Sequence, residues 1–274
     1  MNPERSALDL MVRGGQRSTS FDLFDIEEVL ELADRTRRSL ELAGLWIDTP
    51  PRALPGVDEI CNRSPIERSG QNVRIDIIGP PGALKTTLWY FLGNAIDGSV
   101  LVEEPFGKMV DELGLPAVRQ MNLSNRRLNS LAYADNLLAE SEPGHIYICD
   151  RSVRDEGIWL KADFLTGNID SFTYLAGSQL LGYFLSEEER TSGKERADIE
   201  IIAIPSVEKS LERKGVGGRV RTTEYLKILY TQYLAYVVEA RQSGVRNLIV
   251  ADMEADTYDK SVYKVWELVE SCLQ

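Results

Sequence analysis

Residues 72–88 decide the fold of this chain, and they are Asn72-Val73-Arg74-Ile75-Asp76-Ile77-Ile78-Gly79-Pro80-Pro81-Gly82-Ala83-Leu84-Lys85-Thr86-Thr87-Leu88. A short apolar segment comes first, a Gly/Pro loop follows, and Lys-Thr-Thr begins a helical pattern. Strand, glycine loop and helix in this order are typical of a phosphate-binding loop, where backbone N–H groups converge on a phosphate beside a helix N-terminus. We therefore predict that residues 79–87, called the P-loop below, bind a nucleotide.

The P-loop residues have separate predicted roles. Lys85 is expected to reach the β- and γ-phosphates from an exposed position, and the Thr86 hydroxyl to bind Mg²⁺. Leu84 stands where such loops normally have glycine, so its Cβ restricts the loop or fills space beside the phosphates. The alternative is a strand, turn and helix with an incidental lysine. The predicted nucleotide-binding residues here are Gly79, Gly82, Ala83, Leu84, Lys85, Thr86 and Thr87.

Composition narrows the class of protein. The chain has 274 residues, 43% of them hydrophobic, which suffices for a large core. Its net charge of −12 argues against a protein that coats extended nucleic acid. Three separated cysteines indicate a reducing compartment, and the single histidine, His145, leaves no zinc cluster of several histidines. We expect a structural role for His145.

Nothing in the sequence predicts a membrane protein. No run approaches the roughly 18 apolar residues of a membrane span. The first residues lack an apolar signal core and carry Glu4 and Asp9, so we expect neither a signal nor a transit peptide. We predict a cytoplasmic protein.

The sequence divides near residue 70. Residues 1–70 are predicted to form a polar arm, a helix from Phe21 to Trp46 and a Pro-rich linker. This extension packs on the main domain or binds a partner. Residues 71–274 are predicted to form the main domain.

Strands and helices alternate through the main domain. The predicted strands cover 72–78, 100–104, 146–150, 198–204 and 247–251. The predicted helices cover 86–95, 119–140, a region ending near 185, 207–213, 225–240 and 262–273. This alternation predicts a doubly wound α/β fold with a parallel five-stranded sheet.

Two acidic motifs follow predicted strands, where ligands of open α/β sheets bind. Asp150 ends a buried strand, and it could hold Mg²⁺ beside Thr86 while Arg151 contacts phosphate. The alternative is an Asp–Arg pair that caps the next helix. Glu103 and Glu104 point to opposite faces, and Pro105 keeps Glu104 extended. Glu104 could accept a proton from a hydroxyl, or the pair could simply face solvent.

A basic cluster interrupts this acidic chain at Arg213-Lys214-Gly215-Val216-Gly217-Gly218-Arg219-Val220-Arg221. Mobile arginines that close over a triphosphate would neutralise charge and exclude water. We therefore predict that Arg213 binds the nucleotide and that Arg219 and Arg221 take part in catalysis. A solvated basic loop is the alternative.

Residues 72–274 resemble the deoxynucleoside kinase and thymidylate kinase group of P-loop kinases. Gly79 to Thr87 is similar to the Gly-x-x-Gly-Ala-Gly-Lys-Thr-Thr loop of thymidylate kinases, with Leu84 in place of a glycine. Glu104-Pro105 resembles the Glu-Pro after their second strand, and Asp150-Arg151-Ser152 their Glu-Arg-Ser or Asp-Arg motif. The segment from Leu211 to Arg221 resembles their arginine-rich lid. Candidates for holding a base are Phe106, Trp159, Phe164 and Tyr174.

The resemblance implies an ATP- and Mg²⁺-dependent kinase that phosphorylates a nucleoside, a nucleoside monophosphate or a similar small hydroxyl compound. Lys85, Thr86 and Asp150 would hold Mg·ATP, Arg151 and the lid would stabilise the transferred group, and Glu104 would serve the acceptor. Two alternatives stay open: the same scaffold acting on an antibiotic, a sugar or a nucleic-acid end, and a nucleotide-binding interaction protein without turnover. A homodimer also stays open.

Overall fold

A computed structural model of the chain describes residues 60–61, 66, 72–136, 144–192, 197–214, 223–242, 247–253 and 258–273. The predicted arm and helix of residues 1–46 lie outside these ranges. No helix within them is long and apolar enough to span a membrane.

Within the described ranges, six strands form one sheet. In chain order they are β1 (Ile60–Cys61), β2 (Val73–Ile78), β3 (Ser99–Val102), β4 (Ile146–Asp150), β5 (Ile199–Ile204) and β6 (Leu248–Asp252). Their spatial order is β1-β6-β5-β2-β4-β3. Strands β2 to β6 all pair in parallel with one another, which confirms the predicted parallel five-stranded sheet. β1 pairs antiparallel with β6 and comes from the segment predicted to be a linker.

Nine helices lie within the described residues. They are α1 (Lys85–Ala95), α2 (Pro105–Leu113), α3 (Leu115–Gln120), α4 (Leu123–Asn136), α5 (Val153–Leu165), α6 (Ser171–Ser192), α7 (Val207–Lys214), α8 (Thr223–Gln242) and α9 (Tyr258–Leu273).

The helices differ from prediction at several places, among them the region predicted to end near 185, which is divided into α5 and α6 and extends to Ser192. Pro105 ends the predicted strand but also begins α2, because proline is well accepted in the first turn of a helix. The single helix predicted for 119–140 is divided into α3 and α4. Asn122 begins α4 as a cap, since its side-chain oxygen accepts a hydrogen bond from the Asn125 N–H at 2.8 Å.

Strand alternation divides the core between the two faces of the sheet. Ile75 and Ile77 of β2 belong to a buried cluster with residues of α1 and α9. Ile78, the next residue, joins residues of α5 and α8 in a second cluster. A third buried cluster joins α4, α5 and α6. The sheet is therefore covered on both faces, as a doubly wound fold requires.

The order of the strands positions the site. After β2 the chain reaches the far edge at β3 and returns to β4 beside β2. It then crosses to the other side of β2, where β5 lies. Connections therefore diverge at the carboxyl end of β2, and such a switch point leaves a crevice for a ligand. The P-loop follows β2 at this point.

Candidate functional site

Two glycines set the path of the P-loop. Gly79 and Gly82 have φ values of 151° and 78°. A Cβ on Gly79 would lie 2.2 Å from the backbone oxygen of Ala203, and one on Gly82 would lie 2.9 Å from that of Ser210. Glycine is required at both positions by conformation and by close approach. The P-loop therefore lies directly against β5 and α7.

Leu84 occupies a conformation that favours glycine. It has φ 60° and ψ 25° as the N-cap residue of α1, and this left-handed conformation costs a non-glycine residue about 1–2 kcal/mol. Its half-buried side chain packs against the cluster that includes residues of β2, α1 and α9. The structure thus gives Leu84 a packing role in the core, whereas its effect on nucleotide binding stays a prediction.

Lys85 is buried, so the expectation of an exposed lysine was wrong. Its side chain is 7% exposed, and Nζ donates to the Pro80 carbonyl at 3.0 Å. Burial, followed by the nearby charge of Arg151, lowers the pKa of Lys85 to about 8. The ammonium thus lies within the curl of the P-loop, where an anion would offset the loss of hydration.

Thr86 and Asp150 meet as predicted. The Thr86 hydroxyl donates to Asp150 Oδ2 at 2.8 Å. Asp150 is buried, and within the described residues its Oδ1 has no hydrogen-bond partner. Burial raises the pKa of this carboxyl group. A buried carboxylate oxygen with spare capacity beside a hydroxyl is a donor set that suits Mg²⁺, which takes few protein ligands together with water and phosphate.

Arg151 lies between two carboxylates. Its Nε is 2.7 Å from Glu104 Oε1 and its Nη1 is 2.6 Å from Asp155 Oδ2. Burial alone would lower the pKa of Arg151, but Glu104 and Asp155 raise it well above its usual value. Arg151 also has φ 83°, an uncommon conformation outside glycine that is frequent at functional sites.

Of the two consecutive glutamates, Glu104 contacts Arg151 and Glu103 faces solvent. Glu104 has φ −55° and ψ 130°, the extended conformation predicted before Pro105, and it forms the ion pair with Arg151. Glu103 is exposed. The structure therefore brings the predicted catalytic carboxylate to the predicted phosphate-binding arginine.

The first part of the predicted lid contacts the P-loop. Arg213 of α7 donates from Nη1 to the Gly82 carbonyl at 3.3 Å, and the Ser210 hydroxyl donates to the Pro81 carbonyl. Of the remaining P-loop residues, Ala83 is buried and Thr87 is exposed. Arg219 and Arg221 lie outside the described residues, so their roles stay predictions.

A polar cluster beside Arg151 was not predicted from the sequence. Arg127 of α4 lies 3.2 Å from Glu156 and 2.6 Å from Asp163, both buried on α5. Trp159 lies between these acids in the chain, and the guanidinium carbons of Arg127 and Arg151 are 4.7 Å and 5.0 Å from the centre of its ring. Burial raises the pKa of Glu156, an effect that Arg127 offsets in part. Helical i, i+3 and i, i+4 spacing along α5 was the one signal that could have linked these residues.

Two of the other aromatic candidates, Phe164 and Tyr174, pack on each other. Phe164 stacks on Tyr174, with ring centres 4.5 Å apart, and both pack against the cluster formed by α4, α5 and α6. Trp159, in contrast, lies against Arg151.

Comparison with known proteins identifies the fold. No protein-family model matches the chain, and a search of curated proteins finds no match. Among solved structures, a deoxyadenosine kinase from M. mycoides with bound dCTP is 17% identical with a TM-score of 0.53, covering 73% of this chain and 100% of that one. A thymidylate kinase from Candida albicans is 18% identical with a TM-score of 0.52, covering 74% of this chain and 93% of that one.

Such low identity supports a statement about architecture alone. The match extends over nearly the whole of both kinase chains and leaves about a quarter of this chain outside it. Together with the strand order and the position of the P-loop, it shows that this chain has the deoxynucleoside and thymidylate kinase fold.

Proposed function

We propose that this chain is a phosphotransferase that moves the γ-phosphoryl group of Mg·ATP to a hydroxyl of a nucleoside, or to a nucleoside monophosphate. The observation that carries the proposal is the convergence of three parts at the carboxyl ends of neighbouring strands. These are the P-loop after β2, the Thr86–Asp150 pair, and the Glu104–Arg151 ion pair at 2.7 Å. A phosphate loop, a metal site and an acid–base group are the parts that phosphoryl transfer needs.

The triphosphate would be held mainly by backbone groups. The loop amides and the N-terminus of α1 supply hydrogen-bond donors and partial positive charge. Lys85 would exchange its bond to the Pro80 carbonyl, at 3.0 Å, for phosphate oxygens. Thr86 and Asp150 would hold Mg²⁺, which when bound neutralises part of the charge on the phosphates. The Thr86 oxygen would bind Mg²⁺ while its O–H still donates to Asp150 Oδ2.

Transfer requires one proton to move and one bond to be exchanged. Glu104 would accept the proton of the acceptor hydroxyl as that oxygen bonds to the γ-phosphorus. The bond from the γ-phosphorus to the bridging oxygen breaks, and ADP leaves. Arg151 would stabilise the charge on the transferred group, together with Arg213 and the predicted lid residues Arg219 and Arg221. For a monophosphate acceptor, an oxygen of that phosphate would take the place of the hydroxyl.

Trp159 and Arg127 favour a flat acceptor. Trp159 offers an aromatic ring beside Arg151, and Arg127 is held by Glu156 and Asp163. A ring system with hydrogen-bonding edges, such as a nucleobase, fits an aromatic residue flanked by paired charged groups better than a sugar does. The deoxyadenosine kinase structures contain bound dCTP and dATP.

The two alternative functions are possible results of the experiment described below. A kinase of antibiotics, sugars or nucleic-acid ends would use the same P-loop with a different acceptor. A nucleotide-binding interaction protein would bind Mg·ATP without turnover. The cytoplasmic location and a homodimeric assembly stay predictions.

The test combines binding and transfer. A thermal-shift screen with Mg·AMP-PNP, alone and with nucleosides, nucleoside monophosphates and sugars, selects acceptors, because a ligand stabilises the state that it binds. Transfer of labelled γ-phosphate to the selected compounds then measures turnover. We expect label on a nucleoside or nucleoside monophosphate. Binding without transfer to any acceptor would contradict the proposal.

A further inference from the structure

Asp155 is a completely buried carboxylate that accepts three hydrogen bonds, two of them from residues far away in the chain. Its Oδ1 accepts from the Gly79 N–H at 3.2 Å and from the Tyr233 hydroxyl at 2.5 Å. Its Oδ2 accepts from Arg151 Nη1 at 2.6 Å. It lies in the first turn of α5, and its own N–H donates to the helix-capping Ser152 hydroxyl at 3.3 Å. No part of Asp155 is exposed.

The three partners belong to three separate parts of the site. Gly79 is the first residue of the P-loop, and Arg151 is the arginine proposed to contact the transferred phosphoryl group. Tyr233 lies on α8, the helix that follows the predicted lid. One carboxylate thus links the phosphate loop, the arginine proposed to contact phosphate and the helix that follows the predicted lid in the chain.

The chemistry requires a carboxylate at this position. All three partners are donors, namely a backbone N–H, a guanidinium group and a hydroxyl, and an ionised carboxylate offers acceptors alone. An amide of the same size would place an NH₂ group against one of the donors. Burial and the neighbouring Asp155 raise the pKa of Tyr233 well above its usual value, which keeps the hydroxyl a donor.

We propose that Asp155 is a positioning residue that sets the orientation of Arg151 relative to the P-loop. The inference rests on the proposed function, because it concerns the geometry of that phosphoryl-transfer site. Asp155 accepts a hydrogen bond from Nη1 of the guanidinium group, and Glu104 lies 2.7 Å from Nε. Held in this way, Arg151 meets the γ-phosphoryl group without reorganising, which is the source of electrostatic catalysis.

The test is Asp155→Asn, with Tyr233→Phe as the matched control. Asp155→Asn removes the negative charge that forms an ion pair with Arg151. Tyr233→Phe removes one hydrogen bond to the same carboxylate but keeps that ion pair. We expect kcat to fall roughly 10- to 100-fold in Asp155→Asn, the loss of one charge-assisted hydrogen bond, and only a few-fold in Tyr233→Phe. In the Arg151→Ala background, Asp155→Asn should add almost nothing, because a positioning residue acts through its partner. Equal effects of Asp155→Asn in both backgrounds would overturn the proposal.

Arg151→Lys keeps the test valid if Asp155→Asn does not fold. Lysine keeps the charge but cannot span Glu104 and Asp155 at once, so kcat should fall about as far as in Asp155→Asn. Wild-type kcat in Arg151→Lys would show that the held orientation is irrelevant.

A binding measurement separates this proposal from the proposed function. If Arg151 is aimed at the γ-phosphoryl group, the wild-type protein should bind Mg·AMP-PNP more tightly than Mg·ADP, and Asp155→Asn should reduce that ratio while leaving the affinity for Mg·ADP almost unchanged. This result can be obtained even if no acceptor is phosphorylated, in which case the catalytic function fails and the positioning role stands. An unchanged ratio, or no nucleotide binding at all, would overturn the positioning role.

Discussion

The P-loop and the cluster around Arg151 are adjacent, yet they are assembled in different ways. The P-loop is continuous in the chain, and glycines at 79 and 82 let its backbone lie against β5 and α7. The Arg151 cluster takes Glu104 from the end of β3, Asp155 from α5 and Tyr233 from α8. Asp155 joins the two regions through the Gly79 N–H.

This difference has an energetic consequence. A loop that binds through backbone N–H groups depends on its path, so sterically incompatible residues disrupt it most. A cluster of buried charges depends on each partner, because removing one leaves another charge uncompensated in a medium where hydration is lost. Substitutions in the P-loop should therefore act mainly through steric conflict, and substitutions in the Arg151 cluster mainly through loss of a charged partner. The following predictions test this difference.

The largest expected effect is that of Glu104→Gln. If Glu104 accepts the acceptor proton, kcat should fall by roughly 10²–10⁴-fold, the usual range for a positioned base. Affinity for Mg·ADP should change little, because the P-loop is intact. Steady-state kinetics with the acceptor from the ligand screen measures both quantities.

Glu103→Gln is the control for this prediction. It changes the same charge one residue away, on a side chain that is exposed, so its kcat should stay near that of the wild type. Equal losses in the two variants, or a loss confined to ATP affinity, would remove Glu104 from the acceptor site.

The next effect concerns the path of the P-loop. Gly79→Ala would bring a Cβ within 2.2 Å of the Ala203 carbonyl oxygen, and we expect a loss of about 3 kcal/mol in the free energy of unfolding, the upper range for overpacking. Gly98→Ala tests conformation alone, since Gly98 also has positive φ, at 72°, but has nothing within 4 Å of the added carbon. It should lose about 1 kcal/mol. Similar losses in urea unfolding would show that close approach does not hold the loop.

Lys85→Ala should weaken triphosphate binding. Loss of a charged hydrogen-bond donor to phosphate, about 1.5–3 kcal/mol, corresponds to a roughly 10- to 150-fold rise in Kd. Lys108→Ala is the control, because it removes the same charge from an exposed position on α2. Isothermal titration with Mg·AMP-PNP measures the affinities. Wild-type affinity in Lys85→Ala would show that the loop assignment is wrong.

The smallest effect is expected at Leu84. Leu84→Gly loses packing but relieves a left-handed conformation, so the free energy of unfolding should change by less than about 1 kcal/mol. Leu84→Ala loses the packing and keeps the strain, and it should be less stable than Leu84→Gly by about 1–2 kcal/mol. Denaturant unfolding measures the difference, and greater stability in Leu84→Ala would contradict this account of Leu84.

Nucleotide affinity in the same two variants shows whether Leu84 also serves the ligand. Tighter binding in Leu84→Gly would indicate a degraded loop, and weaker binding a loop adapted to leucine. If Leu84 only packs on the core, both variants should keep the wild-type affinity.

The elements with local signals could be predicted from the sequence. Apolar periodicity and turn-forming glycines predict the five parallel strands, the P-loop and the helix after it, because these signals depend on neighbouring residues. The contact between Thr86 and Asp150 also follows, because both residues end up at the carboxyl edge of one parallel sheet. The ion pair of Glu104 and Arg151 follows for the same reason, because both residues come after the carboxyl ends of parallel strands.

Other features had no local signal. β1 exists because Ile60 and Cys61 find an edge on β6, and a two-residue strand is too short to show a period. The burial of Lys85 depends on how the P-loop curls around it. The contact of Ser210 with the P-loop joins residues far apart in the chain, and no sequence pattern specifies such a pair.

The sequence by itself determined the class of fold, the position of the phosphate loop and the side chains available at the sheet edge, because these depend on residue type and short spacing. The tertiary structure decided which of those side chains meet. It placed Asp155 between Gly79, Arg151 and Tyr233, and Arg127 beside Trp159. The physical reason is that buried charges must find partners wherever packing brings them. Those partners are chosen by the arrangement of helices in space, over separations that no local pattern encodes.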